Sequence, residues 1–332
     1  MENSKNVLLI SHMPPPATGI GSWTKRVLEI GLPNGWNIFH INSNTINGRD
    51  PFRSTKRSIK DEYIRTKSIY SQEKKILKEN KIKVVHTCIP CTPLGMLREL
   101  GTALISKKYK VPFVLHCRCT VSNVVNSWWK VLIFKLLLKY CAGVMVLNTK
   151  SFDFVKSMNY KGEVEIIPNF VDSKELMEPK EKEEVKDVYY VGGVTYAKGA
   201  NIIIESAKEF PDINFHLIGN VEPEIEKLYI SKNVKLYGMQ DRDFVNKELM
   251  NADVFLFLSE YWGEGFSNAL VEAMAKGIPC IATDWAANKD MIEDKGGIIL
   301  EERNSQELNK SLNQLISSPY LLKEYVKFYE KF

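Results

Sequence analysis

Residues Ser259–Asp284 read SEYWGEGFSNALVEAMAKGIPCIATD and place two acids, Glu264 and Glu272, eight residues apart around a turn that opens a helix. The order is acid, glycine, aromatic, small polar, asparagine, an apolar helix, Gly-x-Pro and a strand ending in Thr-Asp. Val254–Leu258 predicts a buried strand, so Glu264 falls in the loop at its C-terminal end, and Ser267–Lys276 predicts the next helix. Gly277 suits the helix C-terminus and Pro279 blocks its continuation. Ligands of open α/β sheets bind at that end of the strands. Gly265 allows close backbone approach. The N–H groups of Phe266, Ser267 and Asn268 would face outward at the positive end of the helix dipole, an anion site suited to phosphate. Carboxylates beside a phosphate would repel it, so Glu264 and Glu272 suit neutral hydroxyls. A ligand with both phosphates and hydroxyls is a nucleotide sugar. Two acids at this spacing alone would read as solvated side chains; the whole string outweighs that reading.

Three other places carry candidate chemistry. Lys198 lies in YVGGVTYAKG (Tyr190–Gly199), shortly after a predicted strand, where an ammonium can neutralise a diphosphate as a point charge. In isolation it reads as an exposed lysine. Gly19-Ile20-Gly21, after Pro14-Pro15-Pro16, joins the first strand to the first helix. It is not G-x-G-x-x-G, so it does not support a dinucleotide site, and a simple tight turn fits it equally well. His116 ends the strand Pro112–His116, where a lone histidine is ordinarily buried and satisfied. His86 ends another strand and is a weaker candidate.

These positions need strand ends to hold them. Strands are predicted at Asn6–Ser11, Trp36–Ile41, Val84–Cys88, Pro112–His116, Gly143–Leu147 and Val164–Ile167, with helices between them at Gly21–Leu32, Ser68–Glu79, Leu94–Tyr109, Ser127–Tyr140 and Thr149–Ser157. The second half repeats the plan. Its strands are Val188–Gly192, Asn214–Ile218, Val234–Tyr237, Val254–Leu258, Pro279–Thr283 and Gly297–Leu300. Its helices are Ala200–Phe210, Glu222–Ser231, Asp241–Met250, Ser267–Lys276 and Ser305–Ser317. Short apolar runs separated by helices imply parallel sheets. Asn304 with Glu307 suggests a capping box. The charged stretch Glu178–Glu184 reads as a linker. Trp128–Cys141, interrupted by Lys130, Lys135 and Lys139, reads as a core helix, because the lysines do not fall on one narrow face.

The chain has 332 residues, enough for two domains, and its 44% hydrophobic and 26% charged content is ordinary for a globular protein. Its net charge of +5 is uneven. Residues 1–171 carry 26 Lys and Arg against 11 Asp and Glu, and residues 172–332 carry 19 against 29. The first half therefore suits a polyanion, the alternative being a lysine-rich surface without a partner. Arg49, Arg53, Lys56, Arg57, Lys60, Arg65 and Lys67 form a basic stretch there, ordinarily a solvated loop, otherwise a place for lipid headgroups or a lipid pyrophosphate. No zinc-finger, RNP or basic heptad pattern points to nucleic acid. No secretory leader or membrane span is evident, since Val7–Ile10 is too short and the most apolar stretch carries three lysines. The expected place is the cytoplasm or the inner face of the plasma membrane. Cys88-Ile-Pro-Cys91 and Cys117-Arg-Cys119 lack good zinc spacing, so no metal is expected and the six cysteines are expected as thiols.

The segment Ser259–Asp284 resembles the E-x7-E signature of glycosyltransferase family 4, retaining enzymes of the GT-B fold. A weaker similarity runs from Val7 to about Leu300, and IPNFVD at Ile167–Asp172 resembles the family's interdomain I-P-N-x-V-D. The resemblance implies an α/β GT-B architecture: two Rossmann-like lobes whose parallel sheets face a central cleft. Residues 1–171 would bind the acceptor and 172–332 the nucleotide sugar. It implies that Glu264 holds hydroxyls of the transferred sugar and Glu272 the ribose. Lys198 and the amides of Gly265, Phe266, Ser267 and Asn268 would hold the departing diphosphate. His116 would contact the donor sugar, Gly19 and Gly21 would approach the donor phosphate, and the Gly238–Met239 loop would read the base through backbone atoms. No metal or other cofactor is implied. The implied reaction moves a hexose or N-acetylhexosamine to a glycan or polyprenyl-pyrophosphate-linked acceptor in bacterial surface polysaccharide (capsule or lipopolysaccharide) synthesis. An anionic membrane surface is a further implied partner, and nucleic acid is not.

The sequence departs from the family at one charge. The usual G-R-x-x-x-x-K-G has an arginine where Gly193 stands. Its loss costs roughly several kcal/mol of transition-state stabilisation unless another cation, with Arg118 the candidate, replaces it. This motivates a first alternative, a non-catalytic GT-B partner subunit of an active transferase. A nucleotide-sugar epimerase with the same lobes is a second. An NAD-dependent oxidoreductase is disfavoured by the first turn. Family members often continue beyond the equivalent of Tyr320–Phe332 into a helix that crosses back to the first lobe; this sequence stops short of it, which implies either a truncated sequence or a looser contact between lobes.

Overall fold

The computed structural model describes residues 5–15, 18–44, 59–176, 183–292 and 296–329. The chain divides into two compact units, Met1–Pro168 and Asn169–Phe332.

In the first unit the strands are β1 (Asn6–Ser11), β2 (Asn37–Asn42), β3 (Val84–Ile89), β4 (Phe113–Cys117), β5 (Gly143–Val146) and β6 (Glu163–Ile166). They pair in parallel in the order β2-β1-β3-β4-β5-β6. Parallel neighbours require crossovers, supplied by α1 (Gly19–Ile30), α2 (Ile59–Glu79), α3 (Pro93–Lys108), the short α4 (Val121–Val124), α5 (Trp128–Leu138) and α6 (Thr149–Ser157). Every residue of β1 is buried, as expected for a strand covered on both faces. The sheet's order reverses between β1 and β3, so the turns after these two strands flank its switch point.

α2 begins at Ile59, well before the expected Ser68. Its first turn carries Asp61 and Glu62, favourable at a helix N-terminus. Glu62 is held by Arg65 at 2.9 Å and by Arg98 of α3 at 3.1 Å. Arg98 also meets Glu99 at 2.8 Å. Deeper in the same interface Glu73 is fully buried and accepts from Ser106 Oγ at 3.1 Å. Arg65, read from sequence as part of a solvated basic run, is therefore a buried structural side chain, whereas Lys60 and Lys67 are exposed. Arg49, Arg53, Lys56 and Arg57 lie outside the described residues.

α5 differs from its reading as a core helix. Phe134, Leu137 and Leu138 are buried in the unit's core, but Trp128, Trp129, Leu132 and Leu136 are exposed. Its apolar residues cover more of the helix than the neighbouring elements can bury.

In the second unit β7 (Asp187–Val191), β8 (Asn214–Ile218), β9 (Val234–Leu236), β10 (Val254–Phe257), β11 (Cys280–Thr283) and β12 (Gly297–Leu300) form a parallel sheet of order β12-β11-β10-β7-β8-β9. Its helices are α7 (Ala200–Ser206), α8 (Pro223–Glu226), α9 (Arg242–Leu249), α10 (Asn268–Met274), α11 (Asn288–Ile292), α12 (Ser305–Ser317) and α13 (Pro319–Tyr329). Alternation along the strands feeds two cores. Val254 and Leu256 join Tyr190, Phe215 and Leu217 on one face, while Phe255 and Phe257 join Tyr189 and Ile218 on the other. The helix expected over Glu222–Ser231 is a single turn behind Pro223. Asn304 caps α12 by accepting from Glu307 N–H at 2.8 Å. α13, not foreseen from the sequence, packs on α12 and contributes Leu322 and Tyr325 to the core. The strand order 3-2-1-4-5-6 is that of a doubly wound nucleotide-binding sheet, and its switch point lies between β7 and β10.

Candidate functional site

The turns after β7 and β10 therefore come together at the switch point of the second sheet. After β7, Gly192 takes φ 153°, and Tyr190 Oη donates to the Gly193 carbonyl at 2.7 Å. A single 3₁₀ turn, Tyr196–Lys198, then meets Gly199 at φ 81°. A Cβ on Gly199 would stand 2.6 Å from Leu258 Cβ and 2.7 Å from its carbonyl oxygen. Only glycine allows this turn to lie against the end of β10.

That close approach brings Lys198 Nζ to 2.9 Å from Glu264 Oε1, with side-chain exposures of 25% and 15%. Ser259 Oγ donates to the same oxygen at 3.3 Å. The Tyr261 ring lies 5.6 Å from the ammonium. Its hydroxyl is pushed up, first by burial and then by the Glu264 charge. The loop is held from both sides. Thr283 Oγ1 donates to Ser259 O at 2.8 Å, and Trp285 Nε1 donates to Tyr261 O at 2.9 Å.

Arg303 ties the two turns together, a role with no sequence signature. Its Nε donates to Leu258 O at 2.8 Å and its Nη2 to Tyr196 O at 2.6 Å. Asn169 adds a second support that the string IPNFVD did not disclose: it is buried, and its Nδ2 donates to Phe266 O at 2.6 Å.

Gly265 is buried beside Phe266, and Ser267 caps α10 by accepting from Leu270 N–H at 3.3 Å. The helix covers Asn268–Met274, shorter than the Ser267–Lys276 read from sequence. Gly277, at φ 68°, ends it as expected. Glu272 is half-buried on α10, one turn beyond Asn268 and on the same side. Gly238 takes φ 68° in the turn after β9, and Met239 beside it is 53% exposed. β9 lies three strands from β10, about 14 Å at ~4.8 Å per strand. Glu264 and Met239 therefore stand along one edge of the sheet without touching. This spacing suits opposite ends of one elongated ligand.

In the first unit, His116 at the end of β4 is buried. Its Nδ1 is 3.2 Å from His86 Nε2 and its Nε2 is 3.2 Å from Arg118 Nη1. A guanidinium only donates, so His116 Nε2 accepts from it. Trp23 of α1 closes the group, edge-on to His116 at 5.2 Å and 4.7 Å from Arg118 Cζ. Burial, and then the Arg118 charge, hold His116 well below its usual pKa and bring His86 to about 4, so both rings are neutral at pH 7. Burial also lowers Arg118 to about 10. Arg118, the candidate replacement for the cation missing at Gly193, donates to His116 and lies over Trp23 in the first unit. Gly19 and Gly21 do not form a free loop but open α1, where Thr18 Oγ1 accepts from Gly21 N–H at 3.0 Å. A Cβ on Gly21 would crowd Thr18 Oγ1 at 3.1 Å and Pro14 Cδ at 3.3 Å.

His86, Cys88 and His116 each bring one ligating atom within 4.8 Å of the others, a geometry a soft cation could use. Their chemistry opposes one. Burial pushes the Cys88 thiol up to about 12, and the Arg118 guanidinium already occupies His116 Nε2. The cluster is a hydrogen-bonded neutral group beneath the switch point of the first sheet.

Residues 172–331 match the family described as glycosyl transferases group 1. An uncharacterized glycosyltransferase of Methanocaldococcus jannaschii is 30% identical over 54% of this chain and 51% of its own length. The N-acetylgalactosamine-N,N'-diacetylbacillosaminyl-diphospho-undecaprenol 4-alpha-N-acetylgalactosaminyltransferase of Campylobacter jejuni is 24% identical over 69% of this chain and 65% of its own length. The chain thus spans about half to two thirds of these curated relatives. Sucrose-phosphate synthase from Thermosynechococcus elongatus superposes with a TM-score of 0.79 at 16% identity, over 98% of this chain and 93% of that one. The fold is GT-B.

Proposed function

We propose that this protein, whose residues 172–331 match the family of group 1 glycosyl transferases, moves a hexose or N-acetylhexosamine from a nucleotide diphosphate sugar to a glycan or lipid-linked glycan, with retention at the anomeric carbon. The observation that carries the reading is the Lys198–Glu264 pair at the point where the strand order of the second sheet reverses. One member can take a phosphate and the other hydroxyls, as a nucleotide sugar requires. The Campylobacter relative's name, with its diphospho-undecaprenol substrate, supports a lipid-linked acceptor in bacterial surface polysaccharide synthesis.

In this reading Lys198 and the backbone around Gly265–Asn268 stabilise the departing diphosphate, Glu264 orients the sugar and Glu272 the ribose. The turn at Gly238–Met239 takes the base, and the first unit binds the acceptor. His116 is neutral and buried with both ring nitrogens engaged by His86 and Arg118, so it would reach the donor sugar only by exchanging one of those partners. Retention follows if the acceptor attacks on the face the diphosphate leaves, with a leaving-group oxygen taking the acceptor's proton. No metal and no glutamate nucleophile is needed. A panel of nucleotide sugars tests this. A true donor raises the melting temperature and releases its nucleoside diphosphate when a polyprenyl-linked acceptor is added. No stabilisation by any member of the panel overturns the reading. Gly193 favours a second reading, a non-catalytic partner subunit. Donor binding without transfer, in the presence of an acceptor that a related active enzyme uses, would select it.

A further inference from the structure

We propose that His216 and Tyr237 are positioning residues for the Gly238–Met239 turn, and that the hydrogen-bonded group they belong to is complete only when both ring nitrogens of His216 carry a proton. This rests on the reading in which that turn takes the base of the donor.

Sheet register assembles the group. Pairing of β7 with β8 sets Tyr189 beside His216, and pairing of β8 with β9 sets His216 beside Lys235, two residues before Tyr237 and on the same face. The rings of Tyr189 and His216 stack at 4.2 Å. His216 Nε2 lies 2.9 Å from Asp187 Oδ1, and its Nδ1 lies 2.8 Å from Tyr237 Oη. Glu248 of α9 closes the group. Its Oε2 accepts from Tyr189 Oη at 3.1 Å and stands 3.3 Å from Tyr237 Oη. The Lys235 ammonium lies 4.4 Å from the centre of the Tyr237 ring. Tyr237 is the first residue beyond β9, so these contacts fix the side chain on which the turn begins. Two further bonds hold the turn's backbone: Gly219 N–H donates to Gly238 O at 2.9 Å, and Gln240 Nε2 donates to Tyr237 O at 2.8 Å.

Counting protons shows what the group lacks. Four contacts join Asp187 to His216, His216 to Tyr237, and Glu248 to both tyrosines, and they need four protons. Carboxylates supply none. Burial, and then the Glu248 charge, push the Tyr237 hydroxyl up to about 12 and hold that of Tyr189 above its usual range, so each phenol supplies one. A neutral imidazole supplies a third, which goes from Nε2 to Asp187. Nδ1 then takes the Tyr237 proton, and Tyr237 Oη faces Glu248 Oε2 with none between them. An imidazolium supplies the fourth: Nδ1–H goes to Tyr237, whose own proton goes to Glu248. Asp187 on β7 and Glu248 on α9 outweigh Lys235 on β9, so the added positive charge is compensated. Held by a bond on each side, Tyr237 fixes the turn. Donor affinity should therefore be greatest with His216 protonated and fall as pH rises through its titration.

The test is calorimetric titration of the full chain with a panel of nucleotide sugars from about pH 5 to 8, the range in which histidine changes charge and a diphosphate diester does not. The native chain should bind its donor about fivefold more weakly at the upper end. His216→Phe keeps a ring against Tyr189 and loses both nitrogens, and Tyr237→Phe loses only the hydroxyl. Each should bind at the weaker level throughout, with the pH response gone and KM for the donor raised more than kcat is lowered. Where one variant melts early, the other carries the test. A native chain whose donor affinity is the same across the range overturns the inference and leaves the transferase reading standing. So does either variant that melts normally and keeps the native affinity and pH response, which would make the group a structural brace alone. A native chain that binds no nucleotide sugar at any pH overturns both.

Discussion

Lys198 Nζ stands 2.9 Å from Glu264 Oε1 although the two residues arrive on separate turns, one after β7 and one after β10. The ammonium is thus partnered before any diphosphate reaches it. In the proposed reading, a phosphate that engaged Lys198 would compete with the carboxylate and so free Glu264 for sugar hydroxyls. The pair is a preformed exchange of partners, and it gives the first prediction. Lys198→Met should lower turnover by about 10²–10³. Glu264→Gln should lower turnover while leaving nucleoside diphosphate binding intact. Because they share a contact, the double variant should lose less than the two single losses combined. Steady-state kinetics with the cognate donor check this, and full activity in Glu264→Gln would remove that residue from the mechanism.

Two glycines beside this pair should behave in opposite ways. A Cβ on Gly193 would meet only Thr195 Cγ2, at an ordinary 3.6 Å. Gly193→Arg should therefore fold normally and tighten donor binding by adding a charge near the leaving group. Unchanged binding would mean that the missing charge does not limit this protein. Gly199→Ala places a Cβ against Leu258 from a left-handed backbone and should cost about 2 kcal/mol or more. Chemical denaturation separates the two cases.

Glu73 makes stability depend on pH. Burial, the largest cause, raises its pKa from 4.5 to about 8, with the Glu99 charge adding to it and Ser106 opposing. Between those values the folded state holds a proton that the unfolded chain has lost. Stability from this group therefore falls as pH rises from about 4.5 to 8, by at most about 1.4 kcal/mol per unit. Glu73→Gln, which is neutral throughout, should gain on the native protein across that window and keep a constant advantage above it. Melting temperatures of both proteins at a series of pH values check the sign.

Arg303→Ala should loosen the Lys198 turn. It removes donors from the Leu258 and Tyr196 carbonyls and should cost about 1–3 kcal/mol of stability together with donor affinity. Arg303→Lys should rescue little, because one ammonium lacks the planar fork that reaches both oxygens. Donor binding by calorimetry, compared with the melting temperature, measures both losses.

The strands were legible because parallel strands covered on both faces must be short apolar runs, and β1, β8 and β12 occupy the residues expected of them. Lys198 and Glu264 were legible one by one from their local strings. Their contact was not, because it depends on β10 pairing with β7, a choice of strand order that no local pattern records. Arg303 was hidden for a related reason: it acts on distant backbone carbonyls and leaves no motif, whereas Asn169 stood in the IPNFVD string without its partner, the Phe266 carbonyl, being legible there. α5 misled because its hydrophobicity exceeds what its neighbours can cover. Glu73 stands among lysines on α2, and the α2–α3 packing that buries it leaves no local pattern in the sequence.

Arg303 reaches oxygens that every amino acid possesses, and Tyr196 is 43% exposed. Position 196 can therefore accept new side chains under selection without unfastening the lysine that follows two places later. The turn's composition is free to drift at a spot whose anchorage is indifferent to the residue standing there.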